Sequence, residues 1–78
     1  MSVKEEDIQR FLIDQQNLDA ADVDKESMLF STGILDSFSM IELVSFLEKE
    51  AGIRIRPTEL TLDNFDSIGR MLSFLEDR

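Results

Sequence analysis

The sequence contains no cysteine and no histidine. Without cysteine there is neither a disulfide nor a thiolate ligand for a metal. Without histidine the chain lacks the usual general base, the commonest metal ligand and the side chain that titrates near neutrality. Basic residues are scarce as well. Eight Lys and Arg stand against 17 Asp and Glu, for a net charge of −9. Nucleic acid is therefore not an expected partner, because phosphate neutralisation needs a basic surface. No apolar run approaches the ~20 residues of a membrane span. The start, Met-Ser-Val-Lys-Glu-Glu-Asp, has no signal-peptide character, so a soluble cytoplasmic protein is expected.

What remains is enough for one small core. The 78 residues are 42 % hydrophobic, which predicts a single domain over 1–78 near the lower size limit for independent folding. The charge is uneven. Residues 1–48 carry three basic and eleven acidic groups, a balance of −8, while residues 49–78 carry five and six, a balance of −1. A basic surface on another protein is the electrostatic match for the first part; solubility alone accounts for the sign but not for the asymmetry.

The most informative stretch runs from Gly33 to Ala51, a loop turning into a helix. Gly33 frees the backbone for a turn. Asp36 is a good N-cap, since its carboxylate can accept from the unpaired amides of the first turn. Gly52 is a C-cap signal. Ser37 then falls in the first turn, at the positive end of the helix dipole, where a phosphate ester would be held favourably. Stepping ~100° per residue puts Met40, Leu43, Val44 and Leu47 on one side. Phe38 and Ile41 fall on the other, with Glu42, Ser45 and Glu48. Apolar residues rimmed by charge mark either a partner surface or a helix covered by its neighbours.

Elsewhere the pattern is helical. Ser2 and Glu5 fit a capping box opening a helix over Val3–Gln16, with Ile8, Phe11 and Leu12 inward. Asn17 to Leu35 is a long acidic connection, anchored by Leu18, Met28, Leu29, Phe30, Ile34 and Leu35. A calcium-binding loop starting at Asp22 would need Gly at position six and Glu at position twelve; those places hold Ser27 and Gly33, so the match fails. Ile53 and Ile55 lie in an extended connector. Short helical turns are expected at Thr58–Thr61 and Asp63–Phe65, the latter with Phe65 as a core plug. Asp66 is read as the cap of a last helix, Ser67–Glu76, striped by Ile68, Met71, Leu72 and Leu75.

Taken together, Leu29–Gly33, Asp36-Ser37-Phe38, Glu42-Leu43-Val44, Leu47-Glu48, the Ile-x-Ile connector and the capped last helix resemble an acyl carrier protein over nearly the whole chain. The resemblance implies an all-α fold: a right-handed bundle of three main helices plus one short helix, with a long loop between helices one and two. It implies that Ser37 is the attachment point for 4′-phosphopantetheine, whose thiol holds an acyl or aminoacyl group as a thioester. Asp36 matches the acid before the modified serine. Phe38, Ile41, Glu42 and Glu48 match positions that partner enzymes read. The implied partners are a phosphopantetheinyl transferase, an acyl- or aminoacyl-activating ligase, and a downstream transferase or synthase with a basic docking surface. A monomer is expected. Ser39 replaces a usual acid, and Arg54 and Arg56 replace an acidic connector start. The Gly33–Ser37 lead-in is closer to carriers for D-alanine, other amino acids or secondary metabolism than to the fatty-acid housekeeping carrier.

Two other readings stay beside this one. A non-catalytic acidic adaptor would bind a basic protein through Phe38 and Ile41, indifferent to Ser37. An enzyme using Ser37 as nucleophile would need a base, and only Lys25 and Lys49 are formal candidates, without a supporting motif.

Overall fold

The computed structural model describes residues 3–77, and among them helices are joined by loops without any strand. Helix α1 runs Glu5–Gln16. The Ser2 cap lies outside the described residues. Within them the helix opens at Lys4, whose N–H donates to the Asp7 carboxylate at 2.9 Å. The start is thus two residues later than the Val3 expected from sequence, because Asp7 supplies the return hydrogen bond. Ile8 and Leu12 are fully buried. Phe11 is half-buried and stacks on Phe46, ring centroids 4.5 Å apart. The helix ends at Asn17, which takes a left-handed conformation (φ 59°).

The long connection is irregular but pinned. A 3₁₀ turn spans Ala20–Asp22. Val23 is buried, a role the sequence did not suggest for it. Its carbonyl accepts from Gln9 Nε2 at 2.9 Å. The Lys25 carbonyl accepts the Gly69 N–H at 3.0 Å. A Cβ on Gly69 would sit 3.4 Å from that carbonyl oxygen, an ordinary contact, so space alone does not demand the glycine. Of the expected loop anchors, Leu29 and Leu35 are buried, whereas Met28 and Ile34 are exposed.

Helix α2 spans Ser37–Ala51, helix α3 Leu62–Phe65 and helix α4 Ile68–Glu76. A second 3₁₀ turn, Pro57–Glu59, lies between α2 and α3. Leu43, Leu47, Phe65, Ile68 and Met71 have no exposed surface and meet Ile8, Leu12 and Leu29 in one core. Phe65 also packs on Phe74 at 5.1 Å. Each such side chain contributes ~1.5–3 kcal/mol by leaving water. The architecture is an all-helical, carrier-like bundle of three longer helices and a short one.

Asp66 has a different task from the expected one. The cap of α4 is Ser67, whose Oγ accepts the Arg70 N–H at 3.2 Å. Asp66 points into the long loop instead. Its Oδ1 accepts from the N–H groups of Leu29 (3.2 Å), Phe30 (2.8 Å) and Ser31 (2.9 Å). Its own carbonyl accepts the Leu29 N–H at 2.7 Å. The residue is 3 % exposed. That burial pushes the carboxyl pKa up, but donation from Ser31, Phe30 and Leu29 outweighs it and holds the group below its ordinary value.

A depressed acid stabilises the fold above its unfolded-state pKa of about 3.9 and loses that contribution as pH falls through the lowered one. Denaturant midpoints measured from pH 7 down to pH 2 should therefore fall on the acid side. The Asp66→Asn protein, with nothing to protonate there, should be less stable at pH 7 and show a shallower acid decline.

Candidate functional site

The site is built where the pinned loop becomes α2. Gly33 takes φ 83°, open to glycine at little cost, and its N–H closes a turn onto the Phe30 carbonyl at 3.1 Å. Leu35 then dips into the core, and its N–H donates to the Leu29 carbonyl at 2.8 Å. The chain emerges at Asp36 with extended backbone. Oδ1 of Asp36 accepts the Ser39 N–H at 2.8 Å. Its carbonyl accepts the Met40 N–H at 3.0 Å, the first hydrogen bond of the helix. The Ser39 N–H and hydroxyl together hold the Asp36 carboxyl below its ordinary pKa.

Ser37 is the first residue of α2 and is exposed. Beside it Phe38 keeps 72 % of its surface in water, and Ile41, one turn on, keeps 63 %. The opposite side of the helix supplies Leu43 and Leu47 to the core. The structure therefore brings Asp36, Ser37, Phe38 and Ile41 to one end of α2. Glu42 is exposed on the flank, and its Oε1 accepts from Gln16 Nε2 at the end of α1 at 2.8 Å. Glu48 stands apart, roughly 16 Å along the axis from Ser37 at ~1.5 Å per residue. It is half-buried, and its Oε2 accepts the Ile55 N–H at 2.7 Å. Its carbonyl accepts the N–H groups of Gly52 and Ile53. The helical wheel put Glu48 with the exposed pair, but the chain uses it to fasten the connector after α2. Asp66, absent from the sequence-derived site, holds the loop that leads into it. The adjacent Asp66-Ser67, two cap-type residues for one helix start, was the available signal.

The arrangement suits a covalently tethered phosphate. Ser37 is exposed at a helix N-terminus, where first-turn amides and the dipole favour an anion. The chain has no histidine to act as a base beside it, and the adjacent Asp36 carboxylate is engaged with the Ser39 N–H. A family described as "Phosphopantetheine attachment site" matches residues 6–75, nearly the whole chain.

The chain belongs to the acyl carrier protein family.

Curated relatives agree. The chain is similar to an acyl carrier protein of Helicobacter acinonychis (strain Sheeba), 35 % identical over 72 residues, covering 92 % of this chain and 90 % of that one. It is likewise similar to acyl carrier proteins of Helicobacter pylori strains G27 and HPAG1, each 33 % identical over the same shares. Members of this family carry 4′-phosphopantetheine covalently and are carriers rather than enzymes. As an acyl carrier, the chain holds its cargo for other proteins to act on.

The cap is the local test of this geometry. Asp36→Ala should weaken the first turn of α2, seen as faster amide exchange at Ser39 and Met40, with the core amides of Leu43 and Leu47 unaffected. In the native protein the same opening should appear only as pH falls through the lowered Asp36 pKa, not above the ordinary carboxylate range.

Proposed function

We propose that Ser37 is the residue that bears the arm, and that the chain presents an acyl or aminoacyl group to enzymes with basic docking surfaces. The observation that carries this reading is the exposure of Ser37 at the capped start of α2. In the modification the Ser37 Oγ–phosphorus bond forms as a phosphorus–oxygen bond of the coenzyme A pyrophosphate breaks. Adenosine 3′,5′-bisphosphate leaves, and the hydroxyl proton passes to a base of the phosphopantetheinyl transferase. When attached, the arm supplies a thiol that the chain itself lacks. Asp36 fixes the helix start and keeps a negative charge beside Ser37, suited to a divalent metal held by the transferase. Phe38 and Ile41 offer apolar contact, and Glu42 an anionic one that a basic surface can match. Glu48, engaged with Ile55, is left out of this recognition set.

The cargo stays outside the bundle in this reading. Leu43, Leu47 and Phe65, which a buried chain would have to displace, have no exposed surface. Ser39 in place of an acid, and Arg54 and Arg56 at the connector, favour an aminoacyl or specialised acyl cargo over a housekeeping fatty acid.

Coexpression with a broad-specificity phosphopantetheinyl transferase should add one phosphopantetheine mass to the intact protein. Ser37→Ala should fold normally and gain nothing; unchanged labelling of that variant would refute the site. If the protein instead captures basic partners equally well with and without Ser37, it acts as an adaptor.

On loading a short acyl or aminoacyl group, amide shifts should change near Ser37, Phe38 and Ile41 only. Broad changes across Leu47, Ile55 and Phe65 would mean that the cargo enters the core.

A further inference from the structure

We infer that Asp66 is a positioning residue for the modification of Ser37, acting through the loop that leads into α2. The inference rests on the proposed attachment at Ser37. Asp66 lies 29 residues beyond Ser37 in sequence, at the junction of α3 and α4. Its Oδ1 gathers three N–H groups, those of Leu29, Phe30 and Ser31, at 2.8–3.2 Å. Hydrogen bonds to a carboxylate are the strong kind, and three donors on one oxygen fix the segment's place as well as its shape. From that anchor the connections run directly to the site. The Leu29 carbonyl accepts the Leu35 N–H, and the Phe30 carbonyl accepts the Gly33 N–H. Asp36 follows Leu35 and caps α2, so Ser37 lies two residues from a backbone hydrogen bond to the anchored turn.

The loop has few other ties. Ser31, Thr32, Gly33 and Ile34 are all exposed, and Ile34 was expected to anchor them but does not. Thr32 Oγ1 donates to the Met28 carbonyl, a bond within the loop that does not join it to the bundle. The α2 end of this segment is held by the core through Leu35, and its other end by Leu29 and Asp66. Phe30 is half-buried against the core, so the Asp66 oxygen matters most for the exposed residues 31–34, whose tie to the α3–α4 junction is the Ser31 N–H bond. A transferase must receive the Ser37 hydroxyl together with the surface around it. A loop free to shift by about an ångström presents that surface less often in a competent arrangement. The expected loss is therefore in binding, with little change once bound.

The test uses a broad-specificity phosphopantetheinyl transferase and coenzyme A, with the carrier as varied substrate, at a temperature where every variant is folded by circular dichroism. Asp66→Ala should raise KM for the carrier on the order of five- to tenfold with kcat within about twofold. Asp66→Asn, which keeps an acceptor oxygen, should recover most of the loss. Ser67→Ala removes the neighbouring α4 cap without touching the loop, and should leave KM unchanged despite its own loss of stability. A folded Asp66→Ala protein with the native KM, or a Ser67→Ala protein with the same rise, would overturn the inference. If Asp66→Ala does not fold, Asp66→Glu replaces it, keeping the charge while displacing the oxygen by one methylene; a native KM there would overturn it equally. If the native protein is not modified at all, the Ser37 reading fails instead. Amide exchange then decides the positioning role: it should quicken at Phe30, Ser31, Leu35 and Ser39 in Asp66→Ala, and unchanged exchange at Leu35 and Ser39 would overturn it.

Discussion

One carboxylate oxygen, on Asp66, does for the irregular third of this chain what helical hydrogen bonding does for the rest. Loops carry backbone N–H groups that need partners when they are drawn toward a core. Leu29 is drawn in completely, and the residues after it must turn back toward the surface to reach α2. Neutral acceptors would satisfy those N–H groups one at a time. A buried anion satisfies three at once and is in turn stabilised by them, which is why its proton affinity falls despite its burial. Removing the carboxylate leaves Leu29 its shorter bond to the Asp66 main-chain carbonyl, but Phe30 and Ser31 lose their acceptor together, each costing ~1–3 kcal/mol to the extent that water cannot replace it.

The remainder of the design follows from keeping chemistry out of the polypeptide. A carrier has to be recognised, modified and read by several enzymes in turn, and this one has no histidine or cysteine to react on its own account. Its contribution is a rigid display. Helix α2 is fixed at both ends, by the Asp36 carboxylate and by Gly52 in the left-handed conformation. It is fixed along one side by Leu43 and Leu47. The other side is thereby free to expose Phe38 and Ile41 without loss of order.

Much of this was legible in the sequence, for identifiable reasons. Gly33, Asp36 and Gly52 are residues whose backbone or capping preferences act locally, and the structure uses each as its local chemistry dictates. The helical stripes of α2 and α4 are periodic, and periodicity survives without tertiary information. The same wheel sets Phe38 and Ile41 on the face away from the core but leaves open whether a neighbour covers them; the resemblance favours exposure, and both are exposed. The misreadings all concern residues whose role is set by something distant. Asp66 was within one residue of a helix start, and local chemistry favours capping; only the fold reveals that Leu29–Ser31 lies nearer. Glu48 was assigned to the exposed face, but the chain reversal after Gly52 brings the Ile55 N–H within its reach. Met28 and Ile34, read as anchors, are exposed and Val23, not read as one, is buried, because an aperiodic loop gives no face to count from.

The hydrogen bond between Gln16 and Glu42 joins the last turn of α1 to the exposed flank of α2. Any visitor that claims the Glu42 carboxylate must displace, or share it with, an amide already in place. A neutral donor gains almost nothing by that exchange, whereas a guanidinium or ammonium brings a full charge to the same oxygen. Under the proposed docking, that amide would favour a cationic visitor over a neutral one at Glu42.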